Sequence, residues 1–162
     1  MRRQFIKQVG LGILGISLMP KLVFSNDKII KGMRKKPMLA YPVSDKPIDY
    51  DKPTFIQPKL DGVRCLIQYD AGKVTAYSRT GKEWKNIEHI TLNLYKFFDK
   101  HPNVILDGEL YNHDLRDNFE KIISLVRKTK PQPEDRVESA EMVQFHCYDI
   151  IDETLTFEER NY

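Results

Sequence analysis

Cysteine is scarce in this chain. Two residues in 162 are too few for a disulfide framework or a four-cysteine zinc site. Eight glycines and nine prolines exclude a collagen-like or low-complexity chain. The apolar run at 9–19 is too short to span a bilayer, which argues against a multi-span membrane protein. An excess of one charge is missing as well. The formal net charge is +3, but residues 1–25 hold Arg2, Arg3, Lys7 and Lys21 and no acid, leaving 22 basic against 23 acidic side chains beyond them. The body is therefore neutral, and any nucleic-acid surface on it must be a local patch. With 41% hydrophobic and 30% charged residues, it has the composition of one globular domain.

What is present begins with an address. Arg2-Arg3-Gln4-Phe5-Ile6-Lys7 resembles the twin-arginine export motif. The apolar run that follows is interrupted by Gly10, Gly12, Gly15 and Ser17, and Val23 and Ser25 are small residues before a possible cut. The expectation is an export signal-like leader over 1–25 and a periplasmic protein, with a sticky N-terminal helix in a cytoplasmic protein as the alternative. Lys28, Lys31, Arg34, Lys35 and Lys36 make 26–37 a basic linker, open to solvent or to phosphates.

Strands are expected at 54–57 and 63–69, then a turn at Asp70-Ala71-Gly72-Lys73 and a returning strand at 74–78. Ile87, Ile90, Leu94 and Phe97 recur with helical spacing and predict one helix over 87–100. A strand at 104–111 and an amphipathic helix at 118–128 follow. Residues 130–141, with two prolines and many charges, read as a loop, 142–151 as a strand, and 156 onward as a helix. No internal repeat is visible. The fold class is α+β, with antiparallel sheets and flanking helices.

Three strings carry chemistry. In Lys59-Leu60-Asp61-Gly62-Val63-Arg64, a lysine that loses its proton is a nucleophile, Gly62 allows close backbone approach, and Arg64 offers a fork for phosphate oxygens. A hairpin with surface charges has the same look. In Leu106-Asp107-Gly108-Glu109-Leu110, period two puts both carboxylates on one face, suited to a hard cation or a ribose hydroxyl. A solvated strand end also fits. In Phe145-His146-Cys147-Tyr148-Asp149, alternation sets Phe145, Cys147 and Asp149 against His146, Tyr148 and Ile150, and Tyr148 can stack on a base or fill a core. His146 has no ligand partner at zinc spacing. Cys65 and Cys147, expected on adjacent strands, read as free thiols unless geometry allows a bridge.

In this order, and with Ser78-Arg79-Thr80-Gly81-Lys82 between them, the strings resemble the covalent nucleotidyltransferase superfamily, which contains ATP-dependent DNA ligases, RNA ligases and mRNA capping enzymes. Pro58 to Arg64 and Leu106 to Leu110 look most like DNA ligases of the small phage and bacterial kind. The resemblance covers 38–162 and implies a partial nucleotidyltransferase, ATP-grasp-like ligase domain. It implies that Lys59 takes AMP from ATP as a phosphoramidate. Gln57 would then accept a bond from the adenine amino group, Arg64 contact ribose or phosphate, and Tyr148 stack on adenine. Glu109 would bind ribose or metal, Arg79 a phosphate or the nick 5′-phosphate, and Asp61 assist sealing. The implied cofactors are ATP and Mg²⁺. The implied partner is nicked double-stranded DNA, met in repair or replication by a monomer with no stable membrane partner. RNA ligase, capping-type transferase and non-catalytic nucleotide- or DNA-binding remnant are the rival expectations. The family's later Glu-Gly and Lys-x-Lys motifs and its OB-fold are not found before Tyr162, so an incomplete adenylation domain is expected.

Overall fold

The computed structural model describes residues 32–52 and 54–160. The leader at 1–25, with Arg2 and Arg3, lies outside them. Among the described residues the architecture is α+β, built on one four-stranded antiparallel sheet of order β2-β1-β3-β4. The strands are β1 (Val63–Asp70), β2 (Lys73–Tyr77), β3 (Ile105–Tyr111) and β4 (Gln144–Ile150). The helices are α1 (Glu88–Asn93), α2 (Tyr95–Lys100), α3 (Phe119–Val126), α4 (Pro133–Met142) and α5 (Phe157–Arg160).

The two faces of the sheet differ because side chains alternate. Cys65, Ile67, Val74, Ala76, Leu106 and Leu110 pack against Ile87, Phe98, Ile122, Leu125 and Val126 to form the core. The periodic apolar positions of 87–100 do reach it, but the expected single helix is two, broken at Leu94, whose N–H turns back to Thr91 O. Asn86 ties α3 to α4, its amide donating to Leu125 O at 3.0 Å and Asp135 O at 3.1 Å.

Helix α4 replaces the loop expected at 130–141. Pro133 stands in its first turn, where a missing N–H costs nothing, and Asp135 accepts the Gln132 N–H at 2.9 Å. Ser139 is its one buried residue, so the apolar periodicity that advertises a helix is absent. The strand expected at 54–57 does not form. Ile56 is 91% exposed, and Gln57 meets edge strand β4 through its side-chain amide.

The opposite face carries Arg64, Leu66, Gln68, Asp107 and Glu109, and the chain at 32–40 crosses it. Gln68 is fully buried there. Its amide donates to Gly32 O at 2.8 Å and accepts the Arg34 N–H at 3.0 Å. Met33 is buried, the Arg34 guanidinium donates to Val104 O at 3.1 Å, and Lys35 pairs with Glu153 at 2.8 Å. This part of the basic run is packed against the sheet.

Candidate active site

Two glycines let the strands close up. A Cβ on Gly62 would stand 2.4 Å from Leu110 O and 2.7 Å from the Glu109 side chain. One on Gly108 would stand 2.3 Å from His146 O and 2.7 Å from the Phe145 ring. Contacts this short admit no side chain, so Gly62 seats the start of β1 on β3 and Gly108 seats β4.

Gly108 also adjoins a bulge. Asp107 pairs with Asp149 and Gly108 with Cys147, leaving Tyr148 as an extra residue in β4. A bulge shifts the phase of alternation. Asp149 therefore joins the face of Asp107, and Ile150 moves to the face of Leu106, the reverse of the strict alternation expected from the sequence. Cys65 and Cys147 stand opposite Gly108 from either side. β3 separates them, so they are not on adjacent strands. At about 4.8 Å per strand they lie outside disulfide reach, and both are free thiols.

On this face Arg64 forks onto Asp107, with Nε to Oδ1 at 2.6 Å and Nη2 to Oδ2 at 2.5 Å. Asp107 is only 3% exposed. Burial opposes the Arg64 charge, but the Asp107 hydrogen bond and charge outweigh it and raise the guanidinium's pKa. The same guanidinium lies 4.9 Å from the Tyr148 ring centroid, a cation–π contact. Tyr148 is half-buried, and burial followed by the Asp107 charge pushes its phenol well above the ordinary value. Gln57 donates its amide N–H to Tyr148 O at 2.9 Å, which leaves its side-chain oxygen available as an acceptor.

Glu109 has no such fork. Burial is the main cause that lifts its carboxyl from 4.5 to about 7; Arg64 opposes the rise, Asp107 adds to it, Lys59 lowers it and Asp61 raises it. Lys59 and Asp61, both on the exposed stretch before β1, thus lie within charge reach of Glu109. Among the described residues no cluster of three His, Cys, Asp or Glu side chains is set to hold a metal ion. Asp107 is committed to Arg64. Glu109 alone fits an ion such as Mg²⁺, which keeps waters and substrate phosphates as its other ligands.

Two clefts flank Arg64. One, of about 590 Å³, is lined by Leu39, Gln57, Arg64, Asp107, Tyr148 and Arg160 among others. The other, of about 490 Å³, is lined by Gly62, Arg64, Arg79, Lys82, Glu109 and Arg127 among others. The structure therefore places Gln57, Arg64 and Tyr148 on one cleft, with Arg64, Arg79 and Glu109 on the other. Lys59 and Asp61 line neither. Sequence reasoning missed Arg160, whose guanidinium forks onto Asp149 at 2.8 and 3.0 Å at the cleft wall. It also missed Leu39 and Arg127; none of the three stands in a string that signals chemistry.

Over residues 37–161 the chain matches the family model for the ATP dependent DNA ligase domain. The chain belongs to that family. A comparison with curated proteins gives no match. A solved chain named Pmar-Lig_PreS3 is 27% identical, with a TM-score of 0.43, over 57% of this chain and 20% of its own length. Another, named Pmar-Lig_Pre., is 24% identical, with a TM-score of 0.47, over 63% of this chain and 24% of its own. The ligase domain described here thus spans a fifth to a quarter of the length of the solved chains it matches.

Proposed function

We propose that this ligase domain takes AMP from ATP onto Lys59 and passes it to a 5′-phosphate at a nick in double-stranded DNA. The observation that carries the reading is the convergence of Gln57, Arg64 and Tyr148 on one cleft, with Arg64 locked to Asp107. Lys59 follows Gln57 by two residues, on the exposed stretch that leads into β1. In the first step Lys59 Nζ, having shed its proton to solvent, forms a P–N bond to the α-phosphorus. The bond to pyrophosphate breaks and pyrophosphate leaves. The second amine proton is then lost.

Catalysis of this type is positioning and charge neutralisation. Arg64, held rigid by Asp107, would meet the ribose or α-phosphate. The free Gln57 oxygen would accept from the adenine amino group, and the Tyr148 ring would supply a stacking surface. Glu109 would hold Mg²⁺, which when bound neutralises charge on the phosphates. Asp61, close enough to raise Glu109, would assist sealing, and Arg79 would bind phosphate.

The test uses ATP labelled at the α-phosphate. The expected label is acid-labile and base-stable, requires a divalent cation, and is absent from Lys59→Ala and Lys59→Arg, because arginine stays protonated. Label retained by either variant removes Lys59 from the role. Nicked DNA and nicked RNA, offered in parallel to labelled protein, separate the two ligase classes.

A further inference from the structure

Helix α3 and the residues just after it carry three cations, and two of them are paired. Lys121 meets Glu138, and Lys128 meets Asp135 at 2.5 Å, both partners on α4. Arg127 stands between them in sequence and turns the other way. Its backbone N–H caps α3 on Ile123 O at 3.0 Å, and its exposed side chain lines the 490 Å³ cleft beside Arg64.

Arg79 and Lys82 enter the same cleft from the turn after β2. That turn is firmly built: Gly81 N–H donates to Ser78 O at 2.9 Å, Lys82 N–H to the Ser78 hydroxyl at 3.0 Å, and Ser78 N–H to Lys82 O at 2.8 Å. Among the described residues no hydrogen bond, ion pair or ring contact engages the charged groups of Arg79, Lys82 or Arg127. Glu109 is the one acid lining this cleft. Three unpaired cations facing a shared space repel one another, a cost that an anion with several charges removes.

Position says which anion. The nucleoside-sized cleft lies across Arg64, and Arg64 is the one lining residue the two clefts share. Resting on the ligase reading, we propose that Arg127 and Lys82, together with Arg79, hold successive backbone phosphates of the strand whose 5′-end is brought to Arg64. Arg127 and Lys82 are binding residues for the polynucleotide. They contact sugar-phosphate backbone and read no bases, so their effect is independent of sequence.

The test is binding of the intact protein to a nicked duplex bearing a 5′-phosphate, at several salt concentrations, with lysyl-AMP formation followed in parallel. Arg127→Gln and Lys82→Gln should each weaken binding several-fold. Each should also lower the slope of log affinity against log salt by about one. Lys128→Gln, one residue away but paired with Asp135, should leave the slope unchanged. An unchanged slope in Arg127→Gln and Lys82→Gln overturns the proposal, as does wild-type protein that fails to bind the duplex. If these variants instead raise the KM for ATP at constant DNA slope, the cations serve the ATP phosphates and the proposal is wrong. Failure of the ligase reading is seen separately, as wild-type protein that binds DNA and takes no label from ATP.

Discussion

Arg64 stands opposite Glu109 in the pairing of β1 with β3, yet its guanidinium is bonded to Asp107, two residues along. The two carboxylates of one strand end therefore do different work. Asp107 is buried and spent on fixing Arg64. Glu109 keeps its lone pairs and a proton affinity far above that of an ordinary carboxylate.

Breaking the fork should be costly. Arg64→Met leaves Asp107 buried and unpaired, and loss of one partner of a buried pair costs about 3–5 kcal/mol. Denaturant unfolding should show a loss of that order. Arg64→Met with Asp107→Leu should recover much of it, because no lone charge remains. Equal stability of the single and double variants would contradict this account of the pair.

Glu109 should make stability depend on pH. Its carboxyl titrates near 7 in the folded protein against 4.5 ordinarily, and the groups acting on it are Arg64, Asp107, Lys59 and Asp61. Between those values the folded state binds more protons than the unfolded one, so stability falls as pH rises from about 4.5 to 7. Its half-exposed position screens and reduces the effect. Melting temperatures across that range should show Glu109→Gln less pH-dependent than the wild type and more stable at neutral pH. Identical pH profiles would refute the shift.

Gly108→Ala should destabilise the sheet, since its Cβ would meet His146 O and the Phe145 ring. Overpacking of this kind costs about 1–3 kcal/mol, and relief requires β4 to move, carrying Tyr148 with it. Weaker nucleotide binding should accompany the lost stability, measured by nucleotide titration below the melting range. Full stability with full binding would show that β4 yields without consequence.

The export reading is tested on the leader itself. Replacing Arg2 and Arg3 with lysine should hold the protein in the cytoplasm, scored by fractionation of expressing cells. Wild-type protein that stays cytoplasmic would end that reading.

The sequence by itself determined the elements whose cause is local. Richness in β-branched and aromatic residues marked β1, and the turn at Asp70-Ala71-Gly72-Lys73 marked its hairpin with β2. The apolar stripe Phe119, Ile122, Ile123 and Val126 marked α3. The strings around Lys59, Asp107 and Tyr148 stood out through their order and their resemblance to a family, while the faces of Asp149 and Ile150 were read the wrong way round. Helix α4 was not legible. Its start depends on Pro133 and Asp135, while its buried face is a single serine.

Only the tertiary structure decided what depends on a neighbour. The β-rich residues at 54–57 form no ladder: Ile56 is 91% exposed, and Gln57 meets edge strand β4 through its side-chain amide. The bulge that turns Asp149 toward the face of Asp107 arises where β4 meets Gly108, a contact between residues far apart in the chain. Which carboxylate Arg64 takes, which thiols lie within reach, and which cations remain unpaired are settled the same way. Each depends on distances across the sheet, and a linear pattern specifies residue types and spacing but not which partner wins among several of like charge.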